Sequence, residues 1–172
     1  MKNKIAILSL LIAAASILFT IENMIPSPLP WFRLGLSNIV TLLVLKWWGL
    51  KDSLIVVILR VFLGGLLSGK LFSPLFIISL SGGITSALGM GIVMLYRNKF
   101  FSLIGISIIG ASIKNIFQLF TAYLLFIRNM SIFSLIPMFM LISLITGTII
   151  GIAVHVIDKK LYAGIDNHEI PK

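Results

Sequence analysis

The stretch GISIIGASIKNIFQL (residues 105–119) lies inside an apolar run long enough to cross a bilayer, yet it carries a lysine, an asparagine and a glutamine. On a helix its small and polar residues recur at steps of three and four, so they share one face. They are Ser107, Gly110, Ala111, Lys114, Asn115, Gln118 and Thr121. A lysine near the middle of a membrane helix costs about 2.5–3.5 kcal/mol. The sequence therefore predicts that this face turns toward protein or a wet cavity, as a candidate binding site.

The composition around this stretch is that of an integral membrane protein. Of the 172 residues, 59% are hydrophobic and 11% are charged, and the mean hydropathy is +1.13. A soluble domain of this size could not bury so much apolar surface. The chain has no cysteine and only two histidines, so we expect neither thiol chemistry nor a zinc or iron site. No cofactor is expected.

Six apolar segments predict an all-α polytopic membrane protein, a six-transmembrane-helix bundle that forms one domain over residues 1–172. The predicted spans cover residues 5–21, 34–48, 52–68, 73–96, 101–127 and 134–157, followed by a polar tail at 161–172. A signal peptide is the competing interpretation of the first segment, disfavoured because the apolar run continues past Ser16 to Ile21. Residues 22–35 contain three prolines, which exclude a regular helix there. This connection caps a binding cavity or is an interfacial linker.

The basic residues predict the topology. The formal net charge is +9, but the charges sit in short caps between apolar runs, as the positive-inside rule describes, and no nucleic-acid module or partner is expected. With the N-terminus inside, nine Lys and Arg residues lie on the inner side, and three, Arg33, Lys70 and Arg128, lie outside. We therefore expect a cell-membrane protein with both termini in the cytoplasm.

Two cations, Arg60 and Lys114, fall at mid-depth, whereas no predicted span has an acid at its centre. The nearest acid is Glu22, at the outer end of the first span. An anionic ligand that enters from outside would neutralise the two cations. The alternatives are a long reach to Glu22, backbone carbonyl partners, an uncharged Lys114, or a purely helix-joining role for the polar face. The predicted cavity is lined by Arg60, Lys114, Asn115 and Gln118, with Asn38 and Arg33 near its mouth.

Four segments resemble a known family: RLGLSNIVTLL (33–43), LRVFLGGLLSGKLFSP (59–74), SLSGGITSALGM (79–90) and GISIIGASIKNIFQL (105–119). They look like the Gx transporter family, also labelled heptaprenyl diphosphate synthase component I, which is similar to the substrate-binding S components of energy-coupling factor (ECF) transporters. The resemblance covers about residues 20–155. It implies a six-helix bundle that binds a small vitamin-like or cofactor-like molecule from outside, such as a flavin or a thiamin precursor. The family pattern has a histidine where this chain has Lys114.

The sequence is compatible with three candidate functions. The first is a substrate-binding membrane subunit, which would need an ECF transmembrane coupling protein and ATPases, because the chain has no Gly-x-x-x-x-Gly-Lys-Ser/Thr loop. The second is a non-catalytic component of heptaprenyl diphosphate synthase or a polyprenyl-diphosphate-binding accessory protein. Clustered aspartates that hold magnesium against diphosphate are missing, so the chain is not expected to be an enzyme. The third is a structural membrane protein without a ligand.

Overall fold

A computed structural model of the protein describes residues 2–25, 35–96 and 102–164, and these ranges are helical without a strand. The helices are α1 (Lys2–Met24), α2 (Asn38–Trp48), α3 (Leu50–Leu67), α4 (Pro74–Leu95), α5 (Leu103–Ala122) and α6 (Ile136–Gly164). A π-helical segment, Tyr123–Ile127, extends α5, and a 3-10 segment, Met130–Leu135, precedes α6. The predicted all-α class is confirmed.

Local sequence explains where several helices begin. Ser73 and Ser102 precede α4 and α5, and their hydroxyls accept hydrogen bonds from the backbone N–H groups of Phe76 (3.3 Å) and Gly105 (3.2 Å). Such serine caps satisfy donors that have no partner within the first helical turn. Gly49, with φ of 90°, separates α2 from α3 and allows the chain to reverse direction there.

Within the described residues, four helical stretches are long and apolar enough to cross a membrane: Lys4–Met24, Pro74–Leu95, Leu103–Phe126 and Met130–Lys160. They mark the protein as membrane-embedded. The other two helices differ for physical reasons. The α2 helix has 11 residues and is about 17 Å long, whereas the hydrocarbon core of a bilayer is about 30 Å thick. The α3 helix has 18 residues but carries Lys51, Asp52 and Arg60.

The α5 helix is the centre of the packing, with its largest interfaces against α6 and α4. Glycines let α6 approach closely. A Cβ atom at Gly147 would lie 2.6 Å from Cα of Ile108, and one at Gly151 would lie 2.6 Å from Cα of Ile104. Because backbone atoms of α5 occupy that space, larger residues at 147 and 151 would force the two helices apart.

The short α2 helix lies inside the bundle, with eight of its residues buried. On one side Leu42, Leu43 and Trp47 pack in a cluster with residues of α4, α5 and α6. On the other side Val40 and Val44 pack with residues of α1 and α3. This burial explains why an 11-residue helix is stable, since short helices depend on tertiary packing rather than on propensity.

Two ion pairs join the helices at one end of the bundle. Lys4 of α1 pairs with Asp52 of α3 at 2.9 Å, and Lys46 of α2 pairs with Asp158 of α6. Asp158 also accepts a 2.9 Å hydrogen bond from Nε1 of Trp47. Since α2 ends where α3 begins, the start of α1 and the last turns of α6 lie at the same end.

Candidate functional site

The polar face of α5 is buried, as the sequence predicts. Ser107, Gly110, Ala111, Lys114, Asn115 and Gln118 are all shielded from solvent. Thr121, at the edge of the same face, is partly buried and exchanges a 2.9 Å hydrogen bond with Ser81 of α4. The face divides its contacts between α4 on one side and α6 on the other.

Gln118 faces α4, in the space that Gly82 leaves open. A Cβ atom at Gly82 would lie 2.5 Å from Cγ of Gln118 and 3.2 Å from the carbonyl oxygen of Lys114. Gln118 is only 2% exposed. One turn away, the hydroxyl of Ser86 donates to the carbonyl of Gly110 at 2.8 Å. These contacts hold α4 and α5 together, and a ligand-binding role of Gln118 stays a prediction.

Asn115 faces α6. Its Nδ2 group donates to the hydroxyl of Ser143 at 2.8 Å and to the carbonyl of Phe139 at 3.4 Å. Asn115 is buried, and its amide therefore joins α5 to α6. This is the helix-joining role that the sequence leaves open as an alternative, and a role in binding stays a prediction.

Arg60 and Asn38 meet in the middle of the bundle. Nη2 of Arg60 donates to Oδ1 of Asn38 at 2.7 Å, and both residues are buried. Arg60 lies ten residues into α3, about 15 Å from its start. That Asn38 lies near the mouth of a binding cavity stays a prediction. The α2 helix begins at Asn38 and is about half as long as a full membrane span.

Lys114 reaches the same point from α5. A Cβ atom at Gly35 would lie 2.8 Å from Nζ of Lys114 and 3.3 Å from Nδ2 of Asn38. Gly35 has φ of 85°, which side chains with a Cβ rarely adopt. The backbone conformation thus favours glycine here, and a Cβ atom would in addition displace the end of the Lys114 side chain. We call Gly35, Asn38, Arg60 and Lys114 the mid-membrane site.

An acid lies next to this site. Glu22, near the end of α1, is buried, and its Oε1 atom accepts a hydrogen bond from the backbone N–H of Leu36. Leu36 follows Gly35 directly, so by standard bond lengths the Glu22 carboxylate lies within about 8 Å of the Lys114 ammonium. The structure thus places Glu22 near Lys114, and pairing of Glu22 with either cation stays a prediction. With Arg60, Lys114 and Glu22 charged, the three described groups sum to one positive charge.

The position of α2 adds to the positive potential. The N-terminal end of a helix carries a partial positive charge, and here that end lies beside two cations in the middle of the bundle. In membrane transporters the N-terminal ends of half-length helices bind anionic groups at this depth. Arg33, the sixth residue predicted for the site, falls outside the described residues. Within the described ranges, no group of three His, Asp or Glu side chains could hold a metal ion.

Comparison with models of known protein families identifies the family of this chain. The model of the family described as heptaprenyl diphosphate synthase component I matches residues 11–157, which include α2 to α5 whole and most of α1 and α6. The chain belongs to this family. No curated protein and no solved structure matches this member of the heptaprenyl diphosphate synthase component I family. The matched region includes every residue of the mid-membrane site.

The sequence does not predict Gly35 and Glu22 as residues of the binding site. Gly35 has a signal in the sequence, since a glycine that follows a proline-rich connection and precedes an apolar run often takes a positive φ. Glu22 is the first residue of the proline-rich connection, and the sequence indicates it only as an alternative partner of the two cations. Its contact with Leu36 depends on how α1 packs in three dimensions.

Proposed function

We propose that this protein is a membrane-embedded substrate-binding subunit of an ECF-type transporter. It holds a small anionic molecule, flavin-like or thiamin-like, at the mid-membrane site. One observation carries the proposal: Arg60 of α3 bonds to Asn38, the first residue of α2, and Lys114 of α5 approaches Gly35 just before that helix.

Electrostatics supports an anionic ligand. Cations held at mid-depth in a membrane are costly and are characteristic of substrate pathways. Glu22 offsets one of the two positive charges of Arg60 and Lys114, and the N-terminal end of α2 adds a partial positive charge. A bound anion would lower the electrostatic energy of this arrangement, and charge-assisted hydrogen bonds from a guanidinium or an ammonium would hold it.

We further propose six membrane passes with both termini in the cytoplasm, the second pass being made of α2 and the residues before it. Two facts support this orientation: the basic residues are biased three to one toward one side, and the start of α1 lies with the last turns of α6 at one end of the bundle. The natural chain has no cysteine, so single cysteines report topology cleanly. Lys70→Cys should react with a membrane-impermeant maleimide on intact cells, and Lys51→Cys only after lysis. The reverse pattern would contradict the orientation.

Energy for transport would come from separate proteins. The sequence contains no nucleotide-binding Gly-x-x-x-x-Gly-Lys-Ser/Thr loop. We propose that a transmembrane coupling protein and ATPases supply it, with this chain presenting the substrate.

Binding to a matched ligand pair tests the anion site. Flavin mononucleotide and riboflavin share one ring system and differ by a phosphate group. The purified parent should bind the phosphorylated form more tightly. Lys114→Met and Arg60→Gln should each weaken that binding about tenfold or more, while Lys70→Met, at an exposed position outside the site, should not. Equal binding of both flavins by parent and variants would contradict a flavin phosphate as ligand.

A second function is favoured by the family description. The mid-membrane site could hold the diphosphate of a polyprenyl chain, with this protein acting as a non-catalytic membrane component of heptaprenyl diphosphate synthase. Organic extraction of the purified protein, followed by mass spectrometry, separates the two proposals. A polyprenyl phosphate or diphosphate supports the second, and a water-soluble cofactor supports the first.

A further inference from the structure

A small cleft lies between the N-terminal end of α2 and the middle of α6. Its volume is about 70 Å³, and Leu36, Thr146, Ile149 and Ile150 line it. Among the described residues of this lining the one hydroxyl is that of Thr146, which donates to the carbonyl of Ile142 at 2.9 Å. The lining is therefore apolar in character and suits a hydrocarbon group.

The cleft faces the bilayer rather than water. Ile149 is 55% exposed, whereas Ile150 is 3% exposed, so the cleft runs from the outer surface of α6 toward the interior. Thr146 lies ten residues into α6, about 15 Å from its start. At that depth an exposed apolar side chain of a membrane helix contacts lipid chains. The opening therefore lies in the hydrocarbon region.

The inner end of the cleft meets the mid-membrane site. A Cβ atom at Gly35 would lie 3.8 Å from Cδ1 of Ile150 and 2.8 Å from Nζ of Lys114. The apolar wall and the ammonium group thus approach the same backbone position. An apolar cleft that ends at a cation complements a molecule with an anionic head and an apolar chain.

We propose that a single-chain amphiphilic anion, the class that includes the polyprenyl diphosphate of the second function above but no flavin or thiamin compound, binds this site from the bilayer. Its head lies against Lys114, Asn38 and Arg60, and its chain passes through the cleft between α2 and α6 into the bilayer. This inference rests on the proposed anion-binding function of the same site and names the class of molecule. It also defines the route of entry, which is lateral, through the hydrocarbon region.

Photolabelling of the full chain in nanodiscs tests this route. The probe is a twelve-carbon alkyl phosphate with a diazirine close to the head, and the control probe has the same chain on a trimethylammonium head. The phosphate probe should label the lining residues of the cleft, and the ammonium probe should not. Thr146→Phe fills the cleft and should reduce this labelling at least tenfold. Thr148→Phe is the matched control, since Thr148 lies on the same helix, bonds to the carbonyl of Leu144 at 2.6 Å and does not line the cleft.

The outcomes separate this inference from the proposed function. Loss of phosphate-probe labelling in Thr146→Phe and Lys114→Met, but not in Thr148→Phe, supports both the lateral route and the anion site. If binding of the phosphate probe depends on Lys114 but labelling spreads evenly over lipid-facing residues such as Ile145 and Ile152, the lateral route is wrong and the anion site stands. If neither substitution changes labelling and Lys114→Met also leaves flavin mononucleotide binding unchanged, both proposals are wrong.

Discussion

Asn38 accepts a 2.7 Å hydrogen bond from Nη2 of Arg60, which ties the first residue of α2 to the middle of α3. The other end of the same amide, Nδ2, lies 3.3 Å from the position that a Cβ atom on Gly35 would take, and Nζ of Lys114 lies 2.8 Å from that position. One buried side chain therefore lies between two cations. The amide carries no charge of its own, so it positions the cations without neutralising them.

Two substitutions of Asn38 should separate its contribution to stability from its contribution to anion binding. Asn38→Leu keeps the approximate volume but removes an acceptor of the buried guanidinium, and we expect a loss of about 1–3 kcal/mol in stability. Asn38→Asp keeps the acceptor and adds a negative charge, so it should remain folded and lose affinity for flavin mononucleotide. Thermal unfolding in detergent and a binding titration measure the two effects. An Asn38→Leu protein as stable as the parent would contradict the role of this hydrogen bond.

Gly35→Ala should lower the stability of the protein more than the same substitution at an ordinary turn glycine does. The added Cβ would lie 2.8 Å from Nζ of Lys114, in a backbone with φ of 85°. Gly69→Ala is the control, because Gly69 has φ of 65° and nothing within 4 Å of its Cβ position. The control should lose about 1–2 kcal/mol from backbone strain alone. Gly35→Ala should lose more and should also weaken anion binding, as unfolding and titration curves would show. Equal effects of the two substitutions would count against a crowded site.

Glu22→Gln should strengthen anion binding. Glutamine retains an oxygen that can accept the N–H of Leu36, but it removes the negative charge near Lys114. Charge interactions at this distance correspond to a gain of about tenfold in affinity for flavin mononucleotide. Asp52→Asn is the control, since Asp52 lies at the other end of the bundle, paired with Lys4. Unchanged or weaker binding by Glu22→Gln would show that the carboxylate does not oppose the ligand.

Gly147→Val should separate α5 from α6. The valine Cβ would lie 2.6 Å from Cα of Ile108, where only a backbone shift makes room. Overpacking of this kind typically costs about 1–3 kcal/mol. Thr148→Val, next to it on the same helix, should change the unfolding temperature little, because the threonine hydroxyl bonds only within its own helix at 2.6 Å. If the unfolding temperatures of both variants equal that of the parent, the close packing of α5 on α6 is wrong.

The sequence predicts the polar face of α5 because steps of three and four place charged and small residues together, and burial follows from the cost of Lys114 in lipid. It does not predict that α2 is half-length. The apolar run of residues 36–48 shows which residues avoid water, but the start of the helix depends on the turn at Gly35, closed by a 2.8 Å hydrogen bond from the N–H of Asn38.

The members of the site are predictable only in part, because the sequence does not show which helices contact each other. A charge in an apolar span is visible in the sequence, so Arg60 and Lys114 are found. Asn115 and Gln118 share their face, yet the sequence cannot distinguish a ligand contact from a helix contact, and the structure turns their side chains toward α6 and α4. Glu22 is far from Lys114 along the chain, and only the packing of α1 brings the two together.

Native mass spectrometry of the detergent-purified protein tests the central claim most directly, that Arg60 and Lys114 together hold an anionic ligand. The parent and the double variant Arg60→Gln with Lys114→Met are purified in parallel, and each released molecule is identified by its mass and charge. We predict an anionic molecule bound to the parent and none bound to the variant, with both proteins folded. A molecule that is bound equally by both, or one that is neutral or cationic, would contradict the account.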